Sequence, residues 1–192
     1  MDALEFVDSV VEQRLDVPGR TIYLSGEVKD KMALRLAASL KILQHTRGDV
    51  TIWLNSGGGA EDPGFAMYDM LRSFPQRTHA IGMGAVMSIA ALVFQACDNR
   101  MLYPSTRFMI HNGSYAGFSK DEQQNHIIDR AKEMEVVNRK YAEVLAYHSR
   151  QPLRKVLNWC RGDKFFSAEQ AVKAGFADSV MGTEPPSVRS RP

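Results

Sequence analysis

The chain has 192 residues and a formal net charge of +2, with 24 Lys and Arg against 22 Asp and Glu. Its basic residues are scattered instead of forming a stripe, which argues against nucleic-acid binding. The two cysteines, Cys97 and Cys160, support neither a disulfide framework nor a Cys-x-x-Cys metal site, and we expect packed thiols. The acidic start, MDALEF, does not resemble a signal peptide, so the expected location is cytoplasmic.

The first half of the chain alternates strand-like and helical segments. Residues 20–25 (RTIYLS) and 50–54 (VTIWL) are β-rich runs, and each is followed by a pattern of apolar residues at helical spacing. The second helix is predicted to have Asp62 as its N-cap and Pro63 as its first residue, and to end at Pro75. This alternation predicts an α/β domain with a largely parallel sheet.

Residues 80–97 contain no charge and a single hydroxyl, that of Ser88. Their length just reaches that of a membrane span. However, Gly82 and Gly84 interrupt the run, and it lacks the basic flank that would set an orientation. We therefore predict a buried strand over 78–83, which turns through Gly84 into a buried helix beginning near Ser88.

The second half begins with two predicted strands, at 100–103 and 107–110, followed by a long amphipathic helix over about 120–149. The apolar stripe of this helix packs either on its own sheet or on another subunit, and the pattern alone leaves both open. Two further helices are predicted at 152–160 and 167–174, the second with a capping-box pattern at its start.

No linker rich in Pro, Ser or Gly divides the chain, so we expect one main domain. The predicted boundaries are a short N-terminal segment at 1–18, a single domain at 19–181 that includes the long helix, and a tail at 182–192. The tail is polar and rich in proline, and we expect it to be disordered.

Candidates for nucleophilic chemistry occur in three places. A serine nucleophile needs a base, an orienting acid and amide donors for the oxyanion, whereas Ser88 as a helix cap would need none of them. His111 ends a predicted strand and precedes a turn, where catalytic groups often lie. Asp163 lies between Gly162 and an aromatic pair, so we expect it to be partly buried, either paired with His111 or simply a turn residue.

The glycine turn at 57–59 also has two interpretations. It lacks the Lys-Ser/Thr ending of a P-loop and the GxGxxG spacing, which argues against a phosphate cradle. A turn of bare glycines after a strand lets a peptide backbone approach closely and presents an N–H group to an oxyanion. We favour the second interpretation.

Four segments, in this order, resemble signatures of the ClpP family, the proteolytic subunits of Clp proteases: NSGGG (55–59), GAVMSIAA (84–91), LYPSTRFMIH (102–111) and DKFFSAEQA (163–171). The similarity runs from about Gly19 to Val180. It implies a crotonase-like α/β fold of repeated ββα units, with the long helix as a protruding handle.

The resemblance also implies a Ser-His-Asp serine endopeptidase. Ser88 matches the nucleophile, His111 the base and Asp163 the acid that orients it. The backbone N–H groups of Gly59 and Ile89 match the family's oxyanion donors. No metal or cofactor is implied.

For substrate and partners, the resemblance implies an unfolded polypeptide bound as an added strand along Gly58 on one side and Gly113 and Ser114 on the other. Family members form heptameric rings that stack face to face into a tetradecamer around the active sites. An AAA+ unfoldase feeds the chamber. Five apolar residues match positions where the unfoldase docks, although each is equally compatible with a core position: Trp53, Met83, Met101, Tyr103 and Met181.

Some positions depart from the family pattern. Gly57 replaces a proline, His111 is followed by Asn112 and Gly113 instead of Gln-Pro, and Gly162 replaces an arginine that couples the two rings. Gly162 and the altered loops leave open a non-proteolytic subunit of a mixed ring, and the short N-terminal segment leaves open a phage-type capsid-maturation peptidase. Acyl-CoA chemistry shares the fold but would not need Ser88, His111 and Asp163 together.

Overall fold

The computed structural model describes Glu12, residues 14–113 and residues 123–182. Strands and helices alternate along these residues. The strands are β1 (Leu15–Asp16), β2 (Thr21–Ser25), β3 (Val50–Ser56), β4 (Thr78–Met87), β5 (Asn99–Leu102), β6 (Arg107–Ile110), β7 (Lys164–Phe166) and β8 (Ser179–Val180). The helices are α1 (Asp30–Leu43), α2 (Glu61–Ser73), α3 (Ile89–Gln95), α4 (Gln124–Ser149), α5 (Leu153–Trp159) and α6 (Ala168–Ala174).

The sheet is largely parallel, as the alternation predicts. Its strand order is β1-β2-β3-β4-β5-β8, and β6 pairs with both β4 and β7. The pairings among β2, β3, β4, β5 and β8 are parallel, as is that of β4 with β6, whereas β1 and β7 pair antiparallel with their neighbours. The short strands β1, β7 and β8 were not predicted from the sequence.

β4 is the longest of the described strands, and on the side away from β3 it pairs with two different strands. Its first part, up to Gly82, lies beside β5, and its last part, from Ala85, lies beside β6. Between the two parts the register against β3 shifts, at Leu54 to Ser56. The shift bends the strand and directs its end toward β6.

Gly84 and Asn55 form this bulge. Gly84 has a φ of +63°, a left-handed conformation that favours glycine. The side-chain Oδ1 of Asn55 accepts a hydrogen bond from the N–H of Ala85 at 3.1 Å. The predicted strand end at Met83 is therefore wrong: Gly84 lies inside the strand, which continues to Met87.

The buried helix predicted after this strand is confirmed as α3, in which every residue is buried. It packs within an aromatic core, where Phe94 and Phe108 meet edge to face at 6.2 Å and Phe108 stacks on Phe176 at 5.2 Å. The uncharged run is thus divided between a strand and a short helix. Across the described ranges, no helix is both long enough and apolar enough to cross a membrane.

Two helix starts test the capping patterns. α2 begins at Glu61 with Ala60 as its N-cap, so the prediction of Asp62 as N-cap is wrong and Pro63 lies in the first turn. α6 has the predicted capping box: the Ser167 hydroxyl accepts from the Gln170 N–H, and the Gln170 side chain accepts from the Ser167 N–H.

The long helix α4 packs through its C-terminal half only. Its buried residues are Tyr141, Ala142, Leu145, Ala146 and Ser149, all in the last nine positions. In the preceding part, Ile128 and Val136 are 42% and 61% exposed. Among the described residues, the apolar stripe therefore packs on its own domain at the C-terminal end and is exposed toward the other end, as expected of a handle. The predicted start at residue 120 and the termini at 1–11 and 183–192 lie outside the described residues.

Candidate active site

Three side chains from distant parts of the sequence form one hydrogen-bonded chain. Nε2 of His111 lies 2.8 Å from Oγ of Ser88, and Nδ1 of His111 lies 3.0 Å from Oδ1 of Asp163. The sequence predicted these three residues, and the structure brings all three together. The arrangement places an imidazole between a hydroxyl and a carboxylate, the order that a serine nucleophile, its base and an orienting acid require.

Strand pairing explains why these residues meet. β4 and β6 are parallel, with Met87 opposite Met109, so both strands end at the same edge of the sheet. Ser88 follows β4 directly, and His111 follows β6. β6 and β7 are antiparallel, so Asp163, just before β7, lies beside the end of β6.

Ser88 occupies the sharp turn between β4 and α3. Its φ of +55° and ψ of −132° lie in a region that non-glycine residues rarely adopt, at a cost of roughly 1–3 kcal/mol. Backbone hydrogen bonds hold it there: its N–H donates to the carbonyl of Met109, and its carbonyl accepts from the buried Tyr141 hydroxyl, both at 2.9 Å. Ser88 occupies the N-cap position of α3, but its hydroxyl makes no capping hydrogen bond and is directed instead to His111.

Gly58 lies against Ser88, so closely that a side chain at position 58 would have no room. Its φ is +104°, and a Cβ placed on it would lie 2.6 Å from the Cβ of Ser88. The turn is fixed from behind by Val28, whose N–H donates to the Gly58 carbonyl at 2.8 Å and whose carbonyl accepts from the Ala60 N–H at 2.9 Å. These two hydrogen bonds form a parallel β-bridge between Val28 and Gly59, made by the backbone groups of Gly58 and Ala60. In such a bridge the N–H of Gly59 itself points away from Val28.

The two predicted oxyanion donors lie in the two segments that meet at Ser88. Gly59 follows the glycine that contacts Ser88, and its N–H takes no part in the Val28 bridge. Ile89 is the first residue of α3, and the first N–H groups of a helix have no acceptor within it. In the described part of the chain neither N–H donates to another backbone carbonyl, so both remain the predicted oxyanion donors.

Asp163 is more exposed than the sequence suggested. Its side chain is 59% exposed and that of His111 is 30% exposed, so the prediction of a partly buried Asp163 is wrong. The aromatic pair after it does not cover it, because Phe166 is buried in the core while Phe165 is 50% exposed. Water therefore screens the attraction between the carboxylate and the imidazole. The main effect of the Asp163 carboxylate is to orient the imidazole ring.

The predicted substrate-binding residues are described only in part. Gly58 lies at the turn, and Gly113 follows the strand that ends beside His111, where its N–H donates to Oδ1 of Asn138 at 2.7 Å. Ser114 lies outside the described residues. A Cβ on Gly113 would overlap Oε1 of Glu61, which shows how closely this carboxylate approaches.

Sequence reasoning missed Glu61 and Asn138 at this site. Glu61 reads as an ordinary acid near a helix start, and Asn138 as a polar residue on a long helix. Their position at the site becomes visible only in the structure, where α2 carries Glu61 and α4 carries Asn138 to Gly113, just after β6. The spacing of Gly59 and Glu61 was the one available signal, since a side chain two residues from an oxyanion donor lies near the substrate.

The two cysteines are buried free thiols, as predicted. Burial raises the pKa of both Cys97 and Cys160 to about 12, so neither is a thiolate nucleophile at neutral pH. In the part of the chain that the structure describes, no cluster of three or more His, Cys, Asp or Glu side chains is suited to hold a metal ion.

Comparison with known proteins finds similarity to Clp proteases in both sequence and fold. The family model for Clp protease matches residues 8–184. The ATP-dependent Clp protease proteolytic subunit 2 of Thermobifida fusca (strain YX) is 28% identical over 172 residues, which cover 86% of this chain and 82% of that protein. The structure of a ClpP1 mutant from Listeria monocytogenes superimposes with a TM-score of 0.78 at 25% identity, covering 86% of this chain and 92% of that one.

These similarities confirm the predicted ClpP-like α/β fold. They also agree with the four sequence segments that carried the resemblance, since the matched region includes all of them. The chain therefore belongs to the Clp protease family, a family of peptidases.

Proposed function

We propose that this chain is a serine endopeptidase that hydrolyses unfolded polypeptides through Ser88, His111 and Asp163. The observation that carries the proposal is the hydrogen-bonded chain from the Ser88 hydroxyl through His111 to Asp163. The strained backbone of Ser88 supports it, because such strain persists where the surrounding structure holds a residue in position for function.

In the first half of the reaction, Oγ of Ser88 attacks the peptide carbonyl carbon while Nε2 of His111 removes the hydroxyl proton. Asp163 accepts the Nδ1–H of the ring and so fixes the tautomer that leaves Nε2 free to act as the base. The carbonyl oxygen becomes an oxyanion and accepts hydrogen bonds from the N–H groups of Gly59 and Ile89.

The tetrahedral intermediate then collapses. The C–N bond breaks, and the imidazolium of His111 gives its proton to the leaving amine, which leaves an acyl ester on Ser88. Water enters, His111 removes its proton, and the resulting hydroxide attacks the ester carbonyl. The Ser88 oxygen leaves and regains its proton from His111, which restores the free enzyme.

The polypeptide binds as an added strand between two backbone segments, the glycine turn at Gly58 on one side and the residues from Gly113 onward, Ser114 included, on the other. Backbone hydrogen bonds give such a complex affinity without requiring a particular sequence. An extended chain can meet these segments only if it is unfolded, which fits a peptidase supplied by an unfoldase.

For assembly, we propose a heptameric ring, with a second ring stacked on it through the exposed half of α4. The exposed side chains of Ile128 and Val136 supply apolar surface for that contact. An AAA+ unfoldase would dock near the aromatic row formed by Tyr23, Trp53 and Tyr103, whose neighbouring ring centroids lie 6.3 and 6.0 Å apart. We propose that the assembly works in the cytoplasm and needs no cofactor.

The test is hydrolysis of fluorogenic peptides by the purified assembly and by Ser88→Ala. We expect the variant to lose activity by roughly 10³-fold or more, because the nucleophile is removed. Circular dichroism and native mass spectrometry must show that the variant keeps its fold and assembly. A wild-type homo-oligomer that cleaves no peptide would favour the non-proteolytic alternative, and activity that survives Ser88→Ala would rule out the proposed nucleophile.

A further inference from the structure

We propose that Glu61 makes this peptidase prefer substrates with a lysine or arginine side chain on the residue whose carbonyl is attacked. The inference rests on the proposed function and specifies its substrate class. The observation behind it is a half-buried carboxylate without an ionic partner, located between the two backbone segments that would hold the substrate.

The position of Glu61 follows from both segments. It is the first residue of α2, two positions after Gly59, whose N–H is the proposed oxyanion donor. Its Oε1 lies against Gly113, two positions after His111, so closely that a Cβ there would overlap it. A substrate carbonyl held by Gly59 therefore directs the side chain of the same residue toward the Glu61 carboxylate.

The carboxylate of Glu61 is available to an incoming cation. Glu61 is half-buried, and it has no ion pair or side-chain hydrogen bond with any residue that the structure describes. Of the nearby lysines, Lys29 is paired with Glu27 at 2.7 Å, and Lys31 makes no ion pair with Glu61. A partly buried charge without a partner is unfavourable, so a substrate cation would compensate it.

A cavity beside Glu61 has the shape and polarity for a long basic side chain. Its volume is about 730 Å³, and it lies between the starts of α1 and α2 and the middle of α4. Met134 and Val137 supply an apolar wall for a methylene stem, and Glu133 adds a carboxylate. Its lining carries four carboxylates against two ammonium groups, so its field favours a cation.

A neutral or acidic side chain would meet less favourable surroundings. A leucine would leave the Glu61 carboxylate partly desolvated and unpaired, and a glutamate would add repulsion between like charges. A charge-assisted hydrogen bond from lysine or arginine changes binding by roughly 10- to 100-fold.

The experiment compares fluorogenic peptides that differ only in that residue: lysine, arginine, leucine or glutamate. For the wild type we expect kcat/KM to be roughly tenfold or more higher for lysine and arginine than for leucine. Glu61→Gln should remove most of this ratio, and Glu61→Lys should shift the preference toward glutamate. Asp69→Asn, which removes an exposed carboxylate of the same helix that does not line the cavity, is the matched control and should keep the ratio.

Two results would overturn the inference: a wild-type preference for leucine, or a lysine-to-leucine ratio unchanged in Glu61→Gln. Covalent labelling of Ser88 by a fluorophosphonate separates this failure from failure of the proposed function. If Ser88 is not labelled, the proposed function fails, and fluorescence anisotropy of the same peptides bound to Ser88→Ala and to Ser88→Ala with Glu61→Gln still tests Glu61. Equal affinity of the two proteins for the lysine peptide would then contradict the role of Glu61.

Discussion

Ser88 and Gly58 depend on each other at the residue scale. Ser88 has a positive φ, and Gly58 lies so close that only a residue without a Cβ fits beside it. The sequence pointed to a glycine turn with a role in the site, but not to which glycine is essential, because that depends on how the turn packs against Ser88. The structure separates Gly58, which is enclosed, from Gly57, where an added Cβ would have no atom within 4 Å outside the adjacent residues.

This difference gives a matched pair of variants. Gly58→Ala should lower kcat/KM by roughly 10²-fold or more, because the added Cβ displaces Ser88 and its φ of +104° is strained for alanine. Gly57→Ala has open space and should stay within about twofold of wild type. Peptide hydrolysis by the two variants, compared at equal assembly, measures the effect. Equal losses in both would mean that the loop as a whole matters, and not its contact with Ser88.

Asp163 acts through the tautomer of His111. In Asp163→Asn the amide can donate to Nδ1, which places the ring proton on Nε2 and removes the base from Ser88. We expect kcat to fall by roughly 10²- to 10⁴-fold while the fold is kept. Asp69→Asn, at an exposed carboxylate on α2, serves as the control and should retain activity. A wild-type kcat in Asp163→Asn would show that His111 needs no orienting acid.

At the scale of elements, the bend in β4 brings Ser88 to His111. The sequence predicted the strand and the helix around Ser88, but it placed the strand's end at Met83, because Gly84 normally breaks a strand. The bulge depends on Asn55 in the neighbouring strand, and one sequence does not reveal such a contact between strands. For the same reason β7 was missed, since it depends on antiparallel pairing with β6. The exposure of Asp163 was missed because one sequence does not show that Phe165 is exposed and leaves it uncovered.

Asn55 provides a test of the bend. Asn55→Ala removes the acceptor for the Ala85 N–H, which should lower the free energy of unfolding by about 1 kcal/mol and reduce peptide hydrolysis by moving Ser88. Asn55→Asp keeps an oxygen at the same position and should restore most of both properties. Urea unfolding and hydrolysis rates of the three proteins provide the comparison. If Asn55→Asp behaves like Asn55→Ala, the acceptor oxygen is not what supports the bulge.

Across the whole molecule, α4 joins the domain to its proposed assembly. The amphipathic pattern predicted this helix, and the structure adds which half is packed and which is free. His148 ties the packed half to α2, since its Nε2 lies 2.8 Å from the hydroxyl of Tyr68. Burial, followed by the charges of Arg100 and Arg72, lowers the pKa of His148 from 6.5 to about 4.

This lowered pKa makes the stability of the protein depend on pH. Below about pH 6.5 the unfolded chain binds a proton at His148, whereas the folded chain binds it only near pH 4, so stability is lost as the pH falls through this range. Because His148 is only half-buried, solvent screening reduces the contribution to about 1 kcal/mol. His148→Gln removes the titration, and its urea midpoint should fall less than that of wild type between pH 7.5 and pH 5. Parallel decreases in both proteins would assign the pH dependence to other groups.

The central claim is that Ser88 is an activated nucleophile. The most direct measurement is reaction of the wild-type assembly with a fluorophosphonate probe, in which the Ser88 oxygen bonds to phosphorus and fluoride leaves, followed by peptide mass spectrometry to locate the adduct. We expect one adduct per chain, on Ser88, and none in Ser88→Ala. An assembled wild-type protein that forms no adduct, or that forms it on another residue, would contradict it.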